Sequence, residues 1–249
     1  MNSIMISFLI TTLAGFSTML GVFPIYFNQK RQNIIIPFSL AFAAGVMISV
    51  SIFSLIPEAT SFIQEKYFMI PTMLFTGIFI VVGILFSSFV DKKIEEKFSS
   101  NMLYRLGLIS VIALIFHNIP EGITTFLSSN QDLSLGITLS IGIALHNIPE
   151  GISIAVPIYY ATNSKKKAYF YTFISGFSEL VGAFLAYLFL APFITSFGLG
   201  AILAIAAGIM IHISIYELLP TSFQYPKKAF SCFSFVVGFL VMLVTVFLH

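Results

Sequence analysis

Residues 114–156 read LIFHNIPEGITTFLSSNQDLSLGITLSIGIALHNIPEGISIAV, with the heptapeptide HNIPEGI at 117–123 and again at 146–152. The two copies lie in consecutive apolar stretches separated by the polar break SSNQD at 128–132. Each stretch approaches the roughly 20 apolar residues that cross a bilayer. Consecutive spans run antiparallel, so the two copies meet from opposite directions. The rest of the chain fits a lipid solvent. Of its 249 residues 58% are hydrophobic and 9% are Asp, Glu, Lys or Arg, against about 25% charged in an ordinary soluble domain. So apolar a chain cannot cover itself with a polar surface, which excludes a soluble fold. The single Cys232 excludes a disulfide framework and a cysteine zinc cluster. Lys and Arg occur in runs of three at most, so a nucleic-acid footprint is absent.

Outward from the repeated motif, apolar stretches fall at about 4–26, 34–56, 69–90, 106–128, 133–160, 168–190, 197–220 and 229–248. Lipid forces such segments to be helices, which satisfy their own backbone groups. The expectation is an all-α integral membrane protein of eight transmembrane helices, a single domain over 1–249. The first span has neither a basic leader nor a small-residue cleavage site and reads as a retained helix. Of the 12 Lys and Arg, only Lys66 falls in the loops after spans 2, 4 and 6 or at the termini. The others, from Lys30 and Arg31 to Lys227 and Lys228, lie after spans 1, 3, 5 and 7. Basic loops face the cytoplasm, so both termini are expected outside a multi-pass cell (inner) membrane protein.

The two ends of the chain resemble each other. AAGVMISVSIFSLIPE (43–58) and AAGIMIHISIYELLPT (206–221) share nine of sixteen residues, and GFSTMLGVFPIY (15–26) lines up with GFSELVGAFLAY (176–187). FIVVG (79–83) and FVVG (235–238) continue the series more weakly. Units five spans apart point opposite ways, giving a 3+2+3 plan in which helices 1–3 and 6–8 form an inverted repeat, a recurring plan of secondary transporters.

The buried charge has one sign. Glu121, Glu150, Glu179 and Glu217 fall inside spans, Glu58 at the outer end of span 2, and no Lys or Arg is inside a span. A charge at the bilayer centre costs at least about 2.5–3.5 kcal/mol, so these carboxylates are protonated or face a cation the chain does not encode. A divalent metal is the economical answer. His117 and Glu121 are four residues apart on one helix face, as are His146 and Glu150. Asn118 and Asn147 add carbonyl oxygens, and Pro120 and Pro149 leave the carbonyls of Phe116 and Leu145 without a donor. Imidazole with carboxylate suits Zn²⁺, Fe²⁺ or Mn²⁺ better than Ca²⁺. Glu179 sits at the same depth, as a ligand or a protonated hydrogen-bonding group. Glu217 reads as an exit-side ligand or an interfacial carboxylate. His212, five residues earlier and about 140° around an α-helix, cannot chelate with it from one face, and Met47 is a thioether candidate or packing. Glu58 collects cations or is a span-end carboxylate; Cys232, His249 and Asp132 read as incidental. A membrane-embedded di-metal enzyme and a proton relay are the competing uses of such carboxylates.

HNIPEG in two central spans, AAGVM in span 2 and ISGFSE in span 6 resemble the ZIP (Zrt/Irt-like) metal transporters, closest to their bacterial ZupT branch. The resemblance covers essentially the whole chain. It implies uptake of divalent metal as substrate, zinc foremost with Fe²⁺, Mn²⁺, Co²⁺ or Cd²⁺ accepted, and no prosthetic group. It further implies a midplane site, sometimes binuclear, at His117, Asn118, Glu121, His146, Asn147, Glu150 and Glu179. Elevator-like motion of the central helices against spans 2, 3, 7 and 8, and a homodimer, are also implied. The segment 91–105 (DKKIEEKFSSNMLYR) has no His or Cys, so no metal-sensing role is expected of it.

Overall fold

A computed structural model describes residues 3–27, 31–98, 101–190 and 195–248; Lys30 and His249 lie outside the described residues. Among these, eight helical segments are long and apolar enough to cross a membrane: α1 Ser3–Tyr26, α2 Gln32–Gln64, α3 Met69–Phe98, α4 Met102–Gln131, α5 Leu133–Thr162, α6 Lys165–Phe189, α7 Ser196–Phe223 and α8 Lys228–Phe247. Most exceed the sequence-based spans. Hydropathy marks only the length in hydrocarbon, whereas a helix continues into the polar layer while its backbone bonds hold. The segment 91–105 is the clearest case. Expected as a loop, it is helical to Phe98 and again from Met102, capped where Asn101 accepts from the Tyr104 N–H. Arg105, expected in that loop, therefore stands in the second turn of α4.

Three helices widen locally, α6 over Ala186–Leu190 and α2 and α7 at repeat-equivalent turns. Ser51–Leu55 of α2 and Ile213–Leu218 of α7 are π-helical, with the Ile56 N–H donating to the Ser51 carbonyl and the Leu219 N–H to that of Ser214. Each turn precedes a proline, Pro57 or Pro220, that cannot donate to the preceding turn. α4 and α5 continue as α-helix through Pro120 and Pro149.

The inverted repeat is visible in the packing. α2 lies along α8 and α3 along α7; α4 lies along α6 and α5 along α1. Exchanging helices 1–6, 2–7, 3–8 and 4–5 maps each pair onto another. Gly45 meets the Phe235 carbonyl of α8, and its repeat counterpart Gly208 meets the Ile80 carbonyl of α3. A side chain at either would collide with backbone. The two groups, α1/α4/α5/α6 and α2/α3/α7/α8, meet where α2 packs on α5 and α7 on α4. α3 and α8 carry exposed rows such as Met73, Leu74, Val81 and Leu85, or Val236, Leu240 and Val244, as lipid-facing helices should.

Adding one methyl at Gly208 should therefore destabilise the protein by about 1–3 kcal/mol. Gly77, whose added methyl meets nothing within 4 Å, is the matched control. Thermal unfolding followed by circular dichroism should show a lowered midpoint for Gly208→Ala and none for Gly77→Ala; equal midpoints would refute the close crossing.

Candidate metal site

α4 and α5 present the repeated motif to each other at the centre of the bundle. Because the residues recur at i and i+4, His117 and Glu121 project from one face of α4, and the His117 Nε2 is 3.1 Å from Glu121 Oε1. From the antiparallel α5, His146 Nε2 lies 3.0 Å from the same Glu121 oxygen, while Glu150 Oε1 lies 3.3 Å from His117 Nε2. Ligand atoms of His117, Glu121 and His146 all fall within 4.8 Å of one another. All four residues are buried, His117 and Glu150 completely.

Their hydrogen bonding is incomplete. Both carboxylate oxygens of Glu150, Oε2 of Glu121 and Nδ1 of His117 are buried without a hydrogen-bond partner. Among the described residues, the ion-pair partners of Glu121 and Glu150 are imidazoles. An uncompensated buried carboxylate costs several kcal/mol. Two imidazole nitrogens and two carboxylates converging around unsatisfied oxygens make a donor set that suits a divalent transition metal.

The asparagines have a second job. Asn118 Nδ2 donates to the Ser175 carbonyl of α6 at 3.0 Å, and Asn147 Nδ2 to the Ala14 carbonyl of α1 at 3.0 Å. Ser175 and Ala14 are repeat counterparts, so the amides tie each central helix to its partner in the same way. Both Oδ1 atoms stay buried and unpartnered, available for a cation. Glu179 accepts from Asn147 Nδ2 at 2.9 Å through Oε2, and its Oε1 is unpartnered. It is adjacent to the trio through Asn147 but is not one of the three mutually close ligands. Backbone fit requires glycine here: a side chain at Gly122 would strike the Glu179 carbonyl, and one at Gly151 that of Thr18.

Three candidates lie elsewhere. Met47 is fully buried in the apolar core. His212 Nδ1 is 2.9 Å from Ser87 Oγ, its ring stacked on Tyr216. Glu217 Oε2 is 3.4 Å from the Arg105 guanidinium. The π turn between His212 and Glu217 overturns the 140° separation assumed for an α-helix, yet the two still serve different partners.

A cavity of about 280 Å³ runs from the end opposite the basic segments to Glu121 and His146. Ser54 and Glu58 of α2, Thr124 of α4, Thr138 of α5 and Thr245 of α8 line it among apolar residues. Glu58 thus faces a path to the site. Thr124 and Thr138 were missed by sequence reasoning, although Thr124 follows Glu121 by three residues on the same face.

The ZIP zinc transporter family model matches residues 92–245. The zinc transporter ZupT of Streptococcus mutans is 38% identical over 97% of both chains. That of Clostridium perfringens is 36% identical over all of this chain and 97% of its own, and that of Campylobacter jejuni 35% over 97% and 95%.

Glu150 makes the electrostatics testable, because its two oxygens are orphaned without a cation. In chelator, Glu150→Gln should unfold at the same or a higher temperature than the parent, since a buried charge is removed. With Zn²⁺ added, its stabilisation should fall, reflecting roughly tenfold or more weaker binding. Undiminished Zn²⁺ stabilisation would remove Glu150 from the ligand set.

Proposed function

Since the chain belongs to the ZIP zinc transporter family, we propose that it carries divalent transition-metal ions, Zn²⁺ foremost and Fe²⁺, Mn²⁺, Co²⁺ or Cd²⁺ by the same donors, across the inner membrane into the cytoplasm. It is a transporter of metal in a multi-pass membrane fold, not an enzyme, and the metal is its substrate. The observation that carries this reading is the convergence of His117, Glu121, His146 and Glu150, with unsatisfied oxygens, at the floor of a cavity open to one side.

In this reading residues 1–249 act as one transport domain, working as a homodimer with both termini outside. An ion entering the cavity passes Glu58 and the threonines, and exchanges its water for Glu121 and His146. It then completes its shell with His117 and Glu150. A second ion is held beside it by Asn118 Oδ1, Asn147 Oδ1 and Glu179. Glu217, with His212 nearby on the same helix, receives the ion on the way out, and Met47 serves packing. The imidazoles are neutral when they bind, so each delivers a nitrogen lone pair while the carboxylates cancel the ion's charge.

Direction follows from charge. Moving one elementary charge through 100 mV is worth about 2.3 kcal/mol, so an uncompensated divalent ion gains about twice that on entering a negative interior. Proteoliposomes of sorted orientation, carrying a potassium-diffusion potential, should take up Zn²⁺ faster when the side bearing the basic segments is negative. His117→Ala, Glu121→Ala, His146→Ala and Glu150→Ala should each abolish most of that uptake. Indifference to potential would indicate charge-compensated exchange, and normal uptake by Glu150→Ala would sink the site assignment.

A further inference from the structure

Among the described residues the cavity approaches the site from the end of Glu58 and Leu135, and the inverted repeat specifies what must line the other end when it opens. Repeat equivalence pairs Ser54 of the cavity wall with Glu217, Leu139 with Ser110, Met242 with Ser87, and Val246 with Asp91. The first member of each pair lines the open cavity. Among the second members, Glu217, Ser110 and Ser87 are buried, and the Asp91 carboxylate is four-fifths covered. By helix position these residues of α3, α4 and α7 mark a seam between the level of His117 and the basic face. At these four pairs the seam is more polar than the cavity wall, whereas Thr138 and Thr245 of the wall pair with Ile109 and Val90. The Ser110 Oγ is fully buried with no hydrogen-bond partner, and the Asp91 Oδ1 is likewise without one. A helix interface built only for permanent packing has no use for an orphaned hydroxyl. A path that is wetted part of the time does.

One side chain closes this seam. Arg105 of α4 is largely buried, and its guanidinium spreads over carboxylates from two helices of the other group. Nη1 is 2.9 Å from Glu95 and 3.7 Å from Asp91, both on α3, and Nη2 is 3.4 Å from Glu217 on α7. Among the described residues, these are the pairs that join a Lys or Arg to a carboxylate on a different helix; the remaining one, Lys93–Glu96, is local. Each bond crosses between the helix groups α1/α4/α5/α6 and α2/α3/α7/α8. The repeat counterpart of Arg105 is Ser134, so the opposite end has no such clamp, and there the cavity stands open.

We propose that Arg105 is the gate residue of the basic-face exit: its guanidinium occupies Glu217, Asp91 and Glu95 while the opposite cavity is open, and leaves them when the seam opens. The carboxylates it vacates lie at the mouth of the seam, so the guanidinium and a departing dication use the same oxygens at different times. The direction of travel rests on the transport reading above; the gate itself does not, because its opening can be read without metal.

Cysteine labelling reads it. Cys232, exposed on α8, is first replaced by Ser. Ser110→Cys then reports the seam and Leu139→Cys the open cavity, each reacted with a polar maleimide in lipid nanodiscs, where both faces meet the reagent. Ser110→Cys should react slowly with Arg105 present and roughly tenfold or more faster with Arg105→Gln, the factor that loss of a partly buried charge cluster commands. Leu139→Cys should slow in the same variant, because the two ends open alternately. Unchanged rates at both positions would overturn the proposal, as would acceleration at both, which marks general loosening. Should Arg105→Gln fail to fold, Glu217→Gln and Arg105→Lys weaken the same contacts and must shift the two rates in the same opposite senses.

Discussion

A carboxylate withdrawn from water into an apolar bundle needs a positive partner, and three here, Glu121, Glu150 and Glu179, are withdrawn completely or nearly so. Leaving one uncompensated costs several kcal/mol, a large share of the 5–15 kcal/mol that holds a typical fold together. The chain places imidazoles and one asparagine amide beside them and keeps every Lys and Arg toward the helix ends. The arrangement is therefore stable in proportion to what it binds. Most other features follow from the need to hold these groups rigidly. Asn118 and Asn147 donate to neighbouring helices, Gly122 and Gly151 admit those helices to backbone contact, and α2 and α7 wall the centre with apolar side chains.

The inverted repeat divides the work between what it keeps and what it breaks. Kept are the two asparagine ties, the glycine crossings at Gly45 and Gly208, and the π turns, with the Ser51 and Ser214 hydroxyls bonded to the Met47 and Met210 carbonyls. Broken are charged positions outside the central pair, since His117 and Glu121 keep their counterparts His146 and Glu150. Glu179 stands where the first repeat has Thr18, Glu217 where it has Ser54, His212 where it has Ser49, and Glu58 faces Thr221. Symmetric positions set the backbone frame and the central His and Glu side chains; asymmetric ones make the two faces chemically different. A strictly symmetric chain would bind and release equally well at both ends.

Much of this was legible in the sequence because lipid leaves the backbone few options. Hydropathy marks spans, and i, i+4 spacing fixes which side chains share a face, so the convergence of His117, Glu121, His146 and Glu150 followed from two copies of HNIPEG. What was not legible depended on groups with more than one use. An asparagine beside a histidine reads as a ligand; that its amide also ties α4 to α6 needs the partner carbonyl of Ser175, 57 residues away. Arg105 looked like one more loop charge, since nothing local shows that the polar segment 91–105 is helical or that Glu217 lies across from it. The angle between His212 and Glu217 failed for a related reason: a π turn adds a residue that no periodicity reveals.

Those π turns explain how one backbone design serves two faces. An extra residue in a turn rotates everything beyond it by roughly one residue's angle, about 100°. In α2 the widened turn at Ser51–Leu55 precedes Glu58 and itself carries Ser54 and Leu55, all on the wall of the open cavity. In α7 the widened turn at Ile213–Leu218 carries Glu217 to the Arg105 guanidinium at the closed end. Both turns end at a proline whose missing N–H makes the wide geometry inexpensive, since one α-helical bond is already lost. The backbone thus prepares the same lining position at each end, and the side chain placed there decides the outcome. Serine leaves its end open to water, whereas glutamate draws an arginine across the gap and closes it.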